Sequence, residues 1–274
     1  MINLSNDNVI HKVGKEVEYL QFRRLLEYPE LVHAYTLKAN EFDVAGNDTI
    51  KEKKENVINN YIKLANELKF SYNHIIRPYQ THTDIVKCVT NSVNSISIFP
   101  TEYENVDGLI TNKSEIVFSL SYADCIPLFF YDTIKKIIGN IHSGWKGTLN
   151  KIGQKAVLKM IQEYDCNPKD IICCIGPSIR KCHFEVKDDV YEMFYEKFLY
   201  TGKIDSIIHK KKDIEDKYYI DTVLINKIIL EEVGLKEENI IDSGLCTVCN
   251  ASMMHSYRAM GEHAGRNTAI IGIR

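Results

Sequence analysis

Five short runs of β-branched and aromatic residues constrain the fold of this chain more than any other feature. The runs cover residues 116–120, 126–131, 136–141, 171–175 and 269–273. Each run has the length of a buried strand rather than of a helix. Two segments between or before them, 57–68 and 148–164, carry apolar residues at helical spacing and are predicted to form amphipathic helices. Strands that dominate the middle and end, with helices between them, predict a layered α/β domain.

The composition is that of an ordinary globular protein. The 274 residues include 34 Lys and Arg against 37 Asp and Glu, which gives a formal net charge of −3, and 45% of the residues are hydrophobic. This composition indicates that the chain is neither disordered nor collagen-like, and the near-neutral charge argues against a protein dedicated to binding nucleic acids or membrane surfaces. The sequence has no long linker and no internal repeat, so we predict one domain over residues 1–274, with the polar segment 209–217 as a solvated loop.

The sequence offers no secretory signal and no membrane span. Residues 1–8 lack a basic region followed by an apolar one, and the longest strongly apolar run, 126–131, is far too short for a bilayer of roughly 30 Å. We therefore expect a soluble, cytoplasmic protein. In a reducing compartment its eight cysteines are expected to be metal ligands, nucleophiles or core residues rather than disulfides.

Three residues that can bind a metal stand at comparable positions, near junctions between apolar and polar segments: His82, Cys125 and His142. Two imidazoles and one thiolate suit Zn²⁺ and leave a fourth position for water or substrate. The spacing alone is weak support, since a buried cysteine or a hydrogen-bonded core histidine is the more common role for each residue alone. Asp124, beside Cys125, and a glycine-rich turn after His142 strengthen the prediction.

That turn and a later polar block are candidate anion sites. The turn, residues 144–148, reads Gly-Trp-Lys-Gly-Thr, so two glycines allow close backbone approach and Lys146 adds a positive charge. Arg258 and Arg266 lie in the polar block 254–267 and can grip a phosphate with paired N–H groups. Surface arginines paired with nearby carboxylates are the ordinary alternative.

A lone C-x-x-C pair, Cys246 and Cys249, has no matching pair nearby in the sequence. This isolation argues against a structural zinc site and predicts that both cysteines lie in the core or beside the active site. Together with His183 and Glu185 upstream, this pair gives the H-x-E…C-x-x-C order of zinc deaminases. However, the proline before the first cysteine is absent, and the gap between Glu185 and Cys246 is wide for a compact site. We therefore interpret the order as a coincidence.

Nine blocks of residues, taken in order along the chain, resemble the signature blocks of one family. They are Gln80-Thr81-His82, Asp107-Gly108-Leu109-Ile110-Thr111, Ala123-Asp124-Cys125-Ile126-Pro127, His142-Ser143-Gly144-Trp145-Lys146-Gly147, Ile175-Gly176-Pro177-Ser178-Ile179, Phe184-Glu185-Val186, Leu245-Cys246-Thr247, Ser256-Tyr257-Arg258 and Gly265-Arg266. The family is the YfiH-type laccase-domain (polyphenol oxidase) family, whose members are regarded as zinc-dependent purine nucleoside phosphorylases. With His33-Ala34-Tyr35-Thr36 near the start, the resemblance extends over nearly the whole chain, and many blocks in the same order make it far more specific than any single motif.

The resemblance implies back-to-back β-sheets flanked by helices and a zinc ion bound by His82, Cys125 and His142, with copper as a possible alternative ion. It also implies phosphorolysis of adenosine, inosine, guanosine and methylthioadenosine, together with adenosine deaminase activity. The partners would then be purine nucleosides and phosphate. In this hypothesis Lys146, Arg258 and Arg266 hold the phosphate, and Asp124 and Cys125 take part in catalysis. The chain departs from the family in having lysine at position 146, where arginine is usual, and Thr83 where glycine is usual.

Three other functions stay open at this point. A copper-dependent polyphenol oxidase is the function of the family's older name, but no His-x-His or His-Cys-His cluster occurs in the chain. A cysteine hydrolase with Cys125 as its nucleophile and His142 or His82 as the base fits the peptidoglycan-editing role that bacterial relatives are also credited with. A non-catalytic interaction module is the last alternative, and it predicts that alanine at the three ligand positions leaves function intact.

Overall fold

The computed structural model describes residues 2–39, 42–45, 51–90, 103–210 and 217–274, with only the backbone described for 51–54. Within these ranges the strands are β1 (Val9–Val13), β2 (Glu18–Phe22), β3 (Leu31–Thr36), β4 (Ile75–Ile76), β5 (Val86–Cys88), β6 (Gly108–Thr111), β7 (Val117–Tyr122), β8 (Ile126–Asp132), β9 (Ile137–Ser143), β10 (Ile171–Ile175), β11 (Glu185–Val186), β12 (Ile208–Lys210), β13 (Tyr218–Ile220), β14 (Ile240–Asp242) and β15 (Asn267–Ile273). The helices are α1 (Arg23–Leu26), α2 (Lys51–Leu68), α3 (Trp145–Leu149), α4 (Ile152–Tyr164), α5 (Asp188–Phe198), α6 (Ile204–Ile207), α7 (Thr222–Glu232) and α8 (Tyr257–Met260). The predicted α/β class is confirmed.

Two six-stranded sheets of mixed direction and one small sheet organise these strands. The first sheet has the order β1-β2-β3-β15-β7-β4, and the second has the order β14-β10-β8-β9-β6-β5. In each large sheet most neighbours are antiparallel, and parallel pairs occur towards the edges: β4 with β7, β5 with β6, and β10 with β14. The strands β11, β13 and β12 form the small antiparallel sheet.

The two large sheets pack back to back, and the alternation of side chains along each strand places one set between them. Phe129 and Tyr131 of β8 join Phe118 and Leu120 of β7 in one buried cluster that fills the space between the sheets. The intervening β8 residues, such as Phe130, point to the opposite face. Because both faces of β8 are buried, its sequence is a nearly continuous apolar run rather than an alternating one.

Helices cover the outer faces of both sheets. The apolar side of α4 packs on the outer face of the second sheet together with residues of α7, and α2 packs on the outer face of the first sheet. The fold therefore has the sequence helix, sheet, sheet, helix, which is the arrangement implied by the family resemblance. All five strands predicted from the apolar runs are present, and β10 has the predicted bounds.

The structure corrects two local predictions. The helix predicted over 148–164 is two helices, α3 and α4, because the backbone at Lys151 has a φ of 58°, which no α-helix allows. The polar segment 209–217, predicted as a loop, begins with the last two residues of β12, and residues 211–216 lie outside the described ranges. Among the described helices, none has both the length and the hydropathy needed to cross a membrane.

Candidate metal centre and active site

His82, Cys125 and His142, the trio proposed as metal ligands, come together at one end of the second sheet. Cys125 directly precedes β8 and His142 is the next-to-last residue of β9, and these antiparallel neighbours place Pro127 opposite His142. His82 comes from the connection between β4 and β5. The three potential ligand atoms lie within 4.8 Å of one another. Two adjacent strands and one loop thus assemble a group whose members are far apart in the sequence.

Asp107, which the sequence analysis did not assign to the site, orients two members of the trio. Its Oδ1 accepts hydrogen bonds from Nδ1 of His142 at 2.7 Å and from the backbone N–H of His82 at 3.1 Å. Its Oδ2 accepts from the hydroxyl and the backbone N–H of Thr83, each at 2.7 Å. With Nδ1 of His142 occupied by this fully buried carboxylate, Nε2 is the ring nitrogen left to bind a metal.

The sharp backbone turns at the site are held by the same carboxylate. His82 has a φ of 62°, a left-handed conformation that a non-glycine residue adopts only when its surroundings impose it. The backbone N–H groups of Thr81, His82 and Thr83 all point to Asp107, at 3.3, 3.1 and 2.7 Å. Asp107 therefore stabilises both the loop that carries His82 and the ring orientation of His142.

The space inside the trio depends on a glycine. A Cβ atom at Gly144 would lie 2.9 Å from Cδ2 of His82, 3.4 Å from Sγ of Cys125 and 3.6 Å from Cε1 of His142. The first distance is shorter than carbon atoms tolerate, so any side chain here would displace the His82 ring. The glycine predicted to allow close backbone approach thus makes room for the trio.

The ionisation of Cys125 and His142 is coupled. Burial opposes the charged form of both side chains, but each stabilises the charge of the other. The positive charge of His142, with hydrogen bonds from both histidines, lowers the pKa of Cys125 to about 6. Conversely, the Cys125 thiolate and the Asp107 carboxylate raise the pKa of His142 to about 9. Cys125 is consequently poised to ionise at neutral pH, and the thiolate is the form that binds metals or attacks as a nucleophile.

Asp124, predicted as catalytic, has both carboxylate oxygens engaged. Oδ1 accepts from the hydroxyl of Thr247 at 2.5 Å, and Oδ2 accepts from the backbone N–H of Arg258 at 2.6 Å. The residue is 8% exposed and has a φ of 91°. These contacts place Asp124 as a link between the Cys125 loop and the C-terminal segment.

A cavity of about 1600 Å³ extends from the trio to the predicted arginines. Asp124, Arg258 and Arg266 line it, together with the acidic side chains of Asp43 and Glu262. The guanidinium of Arg258 donates to the backbone oxygens of His183 and Glu185, and that of Arg266 donates to the backbone oxygens of Ala264 and Gly265. Backbone carbonyls therefore orient both arginines.

Lys146 differs from the two arginines in its position. Its side chain is exposed and its Nζ lies 5.5 Å from the centre of the Trp145 ring, and Lys146 is not among the described residues that line the cavity. Trp145 itself lines the cavity, as do Phe184 and Tyr257. Trp145 was predicted to lie in the turn, but the three aromatic side chains were not predicted to form one set, because they are far apart in the chain.

The structure also corrects the interpretation of the C-x-x-C pair. Cys249 is exposed, whereas Cys246 is buried, and Cys182 and His183 lie beside both. The four potential ligand atoms are within 4.8 Å of one another. Cys182 and His183 were not predicted as partners of the C-x-x-C pair, because they precede it by more than sixty residues.

Comparison with known proteins gives consistent matches over most of the chain. A family model described as multi-copper polyphenol oxidoreductase laccase matches residues 39–274. The chain is similar to a Bacillus subtilis (strain 168) protein named purine nucleoside phosphorylase YlmD, with 30% identity over 82% of this chain and 80% of that protein. It is also similar to purine nucleoside phosphorylase SERP0752 of Staphylococcus epidermidis, with 27% identity over 94% of this chain and 97% of that protein.

Solved structures share the fold. The Bacillus licheniformis hypothetical protein YfiH superposes with a TM-score of 0.86 at 27% identity, covering 96% of this chain and 99% of that one. YlmD from Geobacillus stearothermophilus superposes with a TM-score of 0.83 at 23% identity, covering 97% of this chain and 99% of that one. The residues matched by the family model, 39–274, include all three members of the trio.

Proposed function

Since the chain belongs to the family described as multi-copper polyphenol oxidoreductase laccase, we propose that it is a purine nucleoside phosphorylase, the activity in the names of its Bacillus and Staphylococcus relatives. We propose further that this activity depends on zinc. One observation carries the proposal: a single cavity joins the trio of metal-ligand residues to two arginines and three aromatic side chains. These are the groups that a nucleoside and a phosphate ion need in one place.

The trio fits a zinc ion. Two imidazoles and a readily ionised thiol are typical zinc ligands, and the glycine at position 144 leaves the space between them open. His82, Cys125 and His142 would hold the ion, with Asp107 fixing the ring of His142 through its Nδ1. When bound, zinc supplies a Lewis acid that polarises an oxygen or nitrogen atom of the substrate. Copper is the alternative ion for the same ligands, and metal analysis of the purified protein distinguishes the two.

The proposed phosphate site consists of Arg258 and Arg266. Both line the cavity, and each has N–H donors beyond those that bind the backbone carbonyls in the described part of the chain. A guanidinium offers a planar pair of donors that suits a phosphate oxyanion. Lys146, exposed beside Trp145, is proposed only to add positive charge near the cavity.

The purine is proposed to rest on the aromatic residues of the cavity. Trp145, Phe184 and Tyr257 offer flat apolar faces, and stacking on such faces accepts every purine. This tolerance supports the wider substrate range of adenosine, inosine, guanosine and methylthioadenosine. Adenosine deaminase activity is proposed as a second reaction in the same cavity.

In phosphorolysis a phosphate oxygen forms a bond to C1′ of the ribose while the bond from C1′ to the purine nitrogen breaks. The purine departs with the bonding electrons and takes up a proton, which balances the proton that the attacking hydrogen phosphate loses, so the products are the free base and ribose 1-phosphate. The arginines bring the anion into the cavity and orient it for this attack. Asp124 serves as a positioning residue, because its two oxygens hold Thr247 and the Arg258 backbone on either side of the Cys125 loop.

The test is to incubate the purified protein with adenosine, with and without phosphate, and to separate the products by chromatography. Adenine and ribose 1-phosphate that form only in the presence of phosphate, and are lost in Cys125→Ser, support the proposal. Cys88→Ser is the matched control, because Cys88 is a half-buried thiol of β5 outside the trio. Inosine as the product demonstrates deamination, and an inactive wild-type protein contradicts the proposed function.

A cysteine hydrolase is the second candidate, and one observation favours it. Asp107, His142 and Cys125 form a chain of carboxylate, imidazole and low-pKa thiol, which is the arrangement that activates a nucleophilic cysteine. This candidate predicts that hydrolysis of a peptide-like substrate survives removal of the metal with a chelator, and that alkylation of Cys125 abolishes it. Phosphorolysis that requires the metal contradicts it.

A further inference from the structure

A second cluster of metal-ligand side chains lies outside the trio. Cys182 and His183 belong to the turn that precedes β11, and Cys246 and Cys249 belong to the segment that follows β14. We refer to these four residues as the Cys3His cluster. We propose that this cluster is a structural zinc site, separate from the trio and closed to substrate.

The distances within the cluster match those around a tetrahedral zinc ion. With zinc about 2.3 Å from sulfur and about 2.0 Å from nitrogen, tetrahedral geometry puts two sulfurs about 3.8 Å apart and a sulfur and a nitrogen about 3.5 Å apart. Sγ of Cys182 lies 3.6 Å from Sγ of Cys246 and 3.9 Å from Sγ of Cys249. Nδ1 of His183 lies 3.2, 3.6 and 3.5 Å from the sulfurs of Cys182, Cys246 and Cys249.

The donor set selects the ion and its role. Three thiolates and one imidazole in a tetrahedral arrangement are typical of zinc, and four protein ligands leave no position for a substrate. The distances between the sulfurs are also far longer than the roughly 2.05 Å of a disulfide bond. The trio has only three ligands and opens into the cavity, so the two sites differ in function as well as in place.

Backbone hydrogen bonds and one ion pair hold the two halves of the cluster together without using the ligand side chains. Ser178 pairs with Cys246 in a parallel bridge, through hydrogen bonds with the backbone of Leu245 and Thr247. Arg180 forms an ion pair with Asp242 at the end of β14. Such preorganisation reduces the entropic cost of ordering the ligands when a metal ion binds.

The Cys3His cluster connects to the cavity through two hydrogen bonds. The hydroxyl of Thr247, within the C-x-x-C segment, donates to Asp124, the neighbour of Cys125. The backbone oxygen of His183 accepts from the guanidinium of Arg258 at 2.7 Å. A zinc ion in the cluster would therefore fix the Thr247 hydroxyl and the His183 carbonyl that position Asp124 and Arg258, although its presence does not depend on the proposed phosphorylase activity.

The experiment measures metal per chain by inductively coupled plasma mass spectrometry in the full-length protein and four variants. We expect Cys249→Ser to lose one zinc equivalent relative to wild type, Cys125→Ser to lose a different one, and the double variant to lose both. Cys88→Ser, outside both sites, should keep the wild-type content. If the trio binds no zinc, wild type and Cys125→Ser contain one equivalent and Cys249→Ser none, so the second site stands while the zinc dependence of the proposed function fails.

A spectroscopic measurement keeps the test independent of folding defects. Cobalt bound to Cys125→Ser should show thiolate charge-transfer bands and the intense visible bands of tetrahedral coordination, since the Cys3His cluster remains intact in that variant. A zinc content that is unchanged in Cys249→Ser overturns the proposal. So does an intact mass, measured without reductant, that is lower by two hydrogens and maps to a disulfide between cluster cysteines.

Discussion

Replacing Asp107 with asparagine tests how the candidate metal centre is held together. In the wild type, Oδ1 accepts from His142 Nδ1 and from the His82 backbone, and Oδ2 accepts from the backbone of Thr81 and Thr83 and from the Thr83 hydroxyl. Asparagine has the same shape, but an NH₂ donor replaces one of the two carboxylate oxygens. Whichever way the amide turns, it places a donor against backbone N–H groups that can only donate.

The magnitude follows from these contacts. Whichever way the amide turns, at least one hydrogen bond from a backbone N–H to the buried carboxylate is lost, and the remaining donors face a neutral acceptor. Hydrogen bonds to charged groups are worth about 1.5–3 kcal/mol each, so Asp107→Asn should lower the free energy of unfolding by about 2 kcal/mol or more. If the NH₂ group faces His142, the imidazole must present Nδ1 as the acceptor and carry its proton on Nε2, the atom that would bind zinc. Loss of such an orienting group lowers metal affinity by about 10–100-fold.

The assay has two parts, and Asp132→Asn provides the matched control. Urea unfolding in the presence of chelator measures the stability of the chain without metal, and competition with a chromophoric chelator measures zinc affinity. Asp132 is equally buried but lies at the far end of β8, where its Oδ1 accepts from the backbone of Ile134 and Lys135. An asparagine can keep that oxygen in place, so Asp132→Asn should leave zinc affinity unchanged. Wild-type zinc affinity in Asp107→Asn would refute the assigned role of Asp107.

Three further predictions concern the cavity, the glycine beside the trio and an ion pair near the Cys3His cluster. Gly144→Ala should lower zinc affinity at least tenfold in the same competition assay, because its Cβ would lie 2.9 Å from the His82 ring, and unchanged affinity would contradict the steric argument. Arg258→Ala should raise the KM for phosphate at least tenfold while Cys125 still binds zinc; an unchanged KM would remove Arg258 from the phosphate site. Asp242→Asn should destabilise the protein by about 2 kcal/mol at pH 7. Burial opposes ionisation of Asp242, but the hydrogen bonds and the charge of Arg180 outweigh burial and lower the pKa of Asp242 to about 2. A carboxyl with a depressed pKa contributes its full stability above the unfolded pKa and loses it as pH falls through the folded pKa. The difference in urea unfolding should therefore shrink as pH falls from about 4 towards 2, and a difference independent of pH would contradict this.

The strands were predictable from local sequence because burial on both faces leaves a local signature. β10 was predicted with its observed bounds, and the predicted end of β8 differs from the observed end by one residue. The break between α3 and α4 was not predicted, since the apolar spacing continues through it and only the left-handed backbone at Lys151 interrupts the helix. Hydrophobic periodicity reports which side chains are buried and does not report single backbone angles.

The trio was proposed from residue type and from the family blocks, and the structure brings its three members together. The role of Asp107 was not predicted, although the residue stands in one of those blocks. A carboxylate before a strand is compatible with many surface roles, and only the approach of the His82 loop and of β9 surrounds it with donors. The same reasoning applies to Trp145, Phe184 and Tyr257, which share a cavity because the fold brings three separate segments to one place.

The amino-acid sequence by itself determined the layered α/β class, the positions of the main strands and the chemical types available for a metal centre. These properties depend on composition and on short-range periodicity, which are local. The tertiary structure alone decided which distant residues became neighbours. Cys246 and Cys249 lacked partners as a sequence motif, but pairing of Ser178 with Cys246 places Cys182 and His183 beside them. Metal coordination depends on distances of a few ångströms between residues far apart in the chain, and such distances exist only once the sheets have packed.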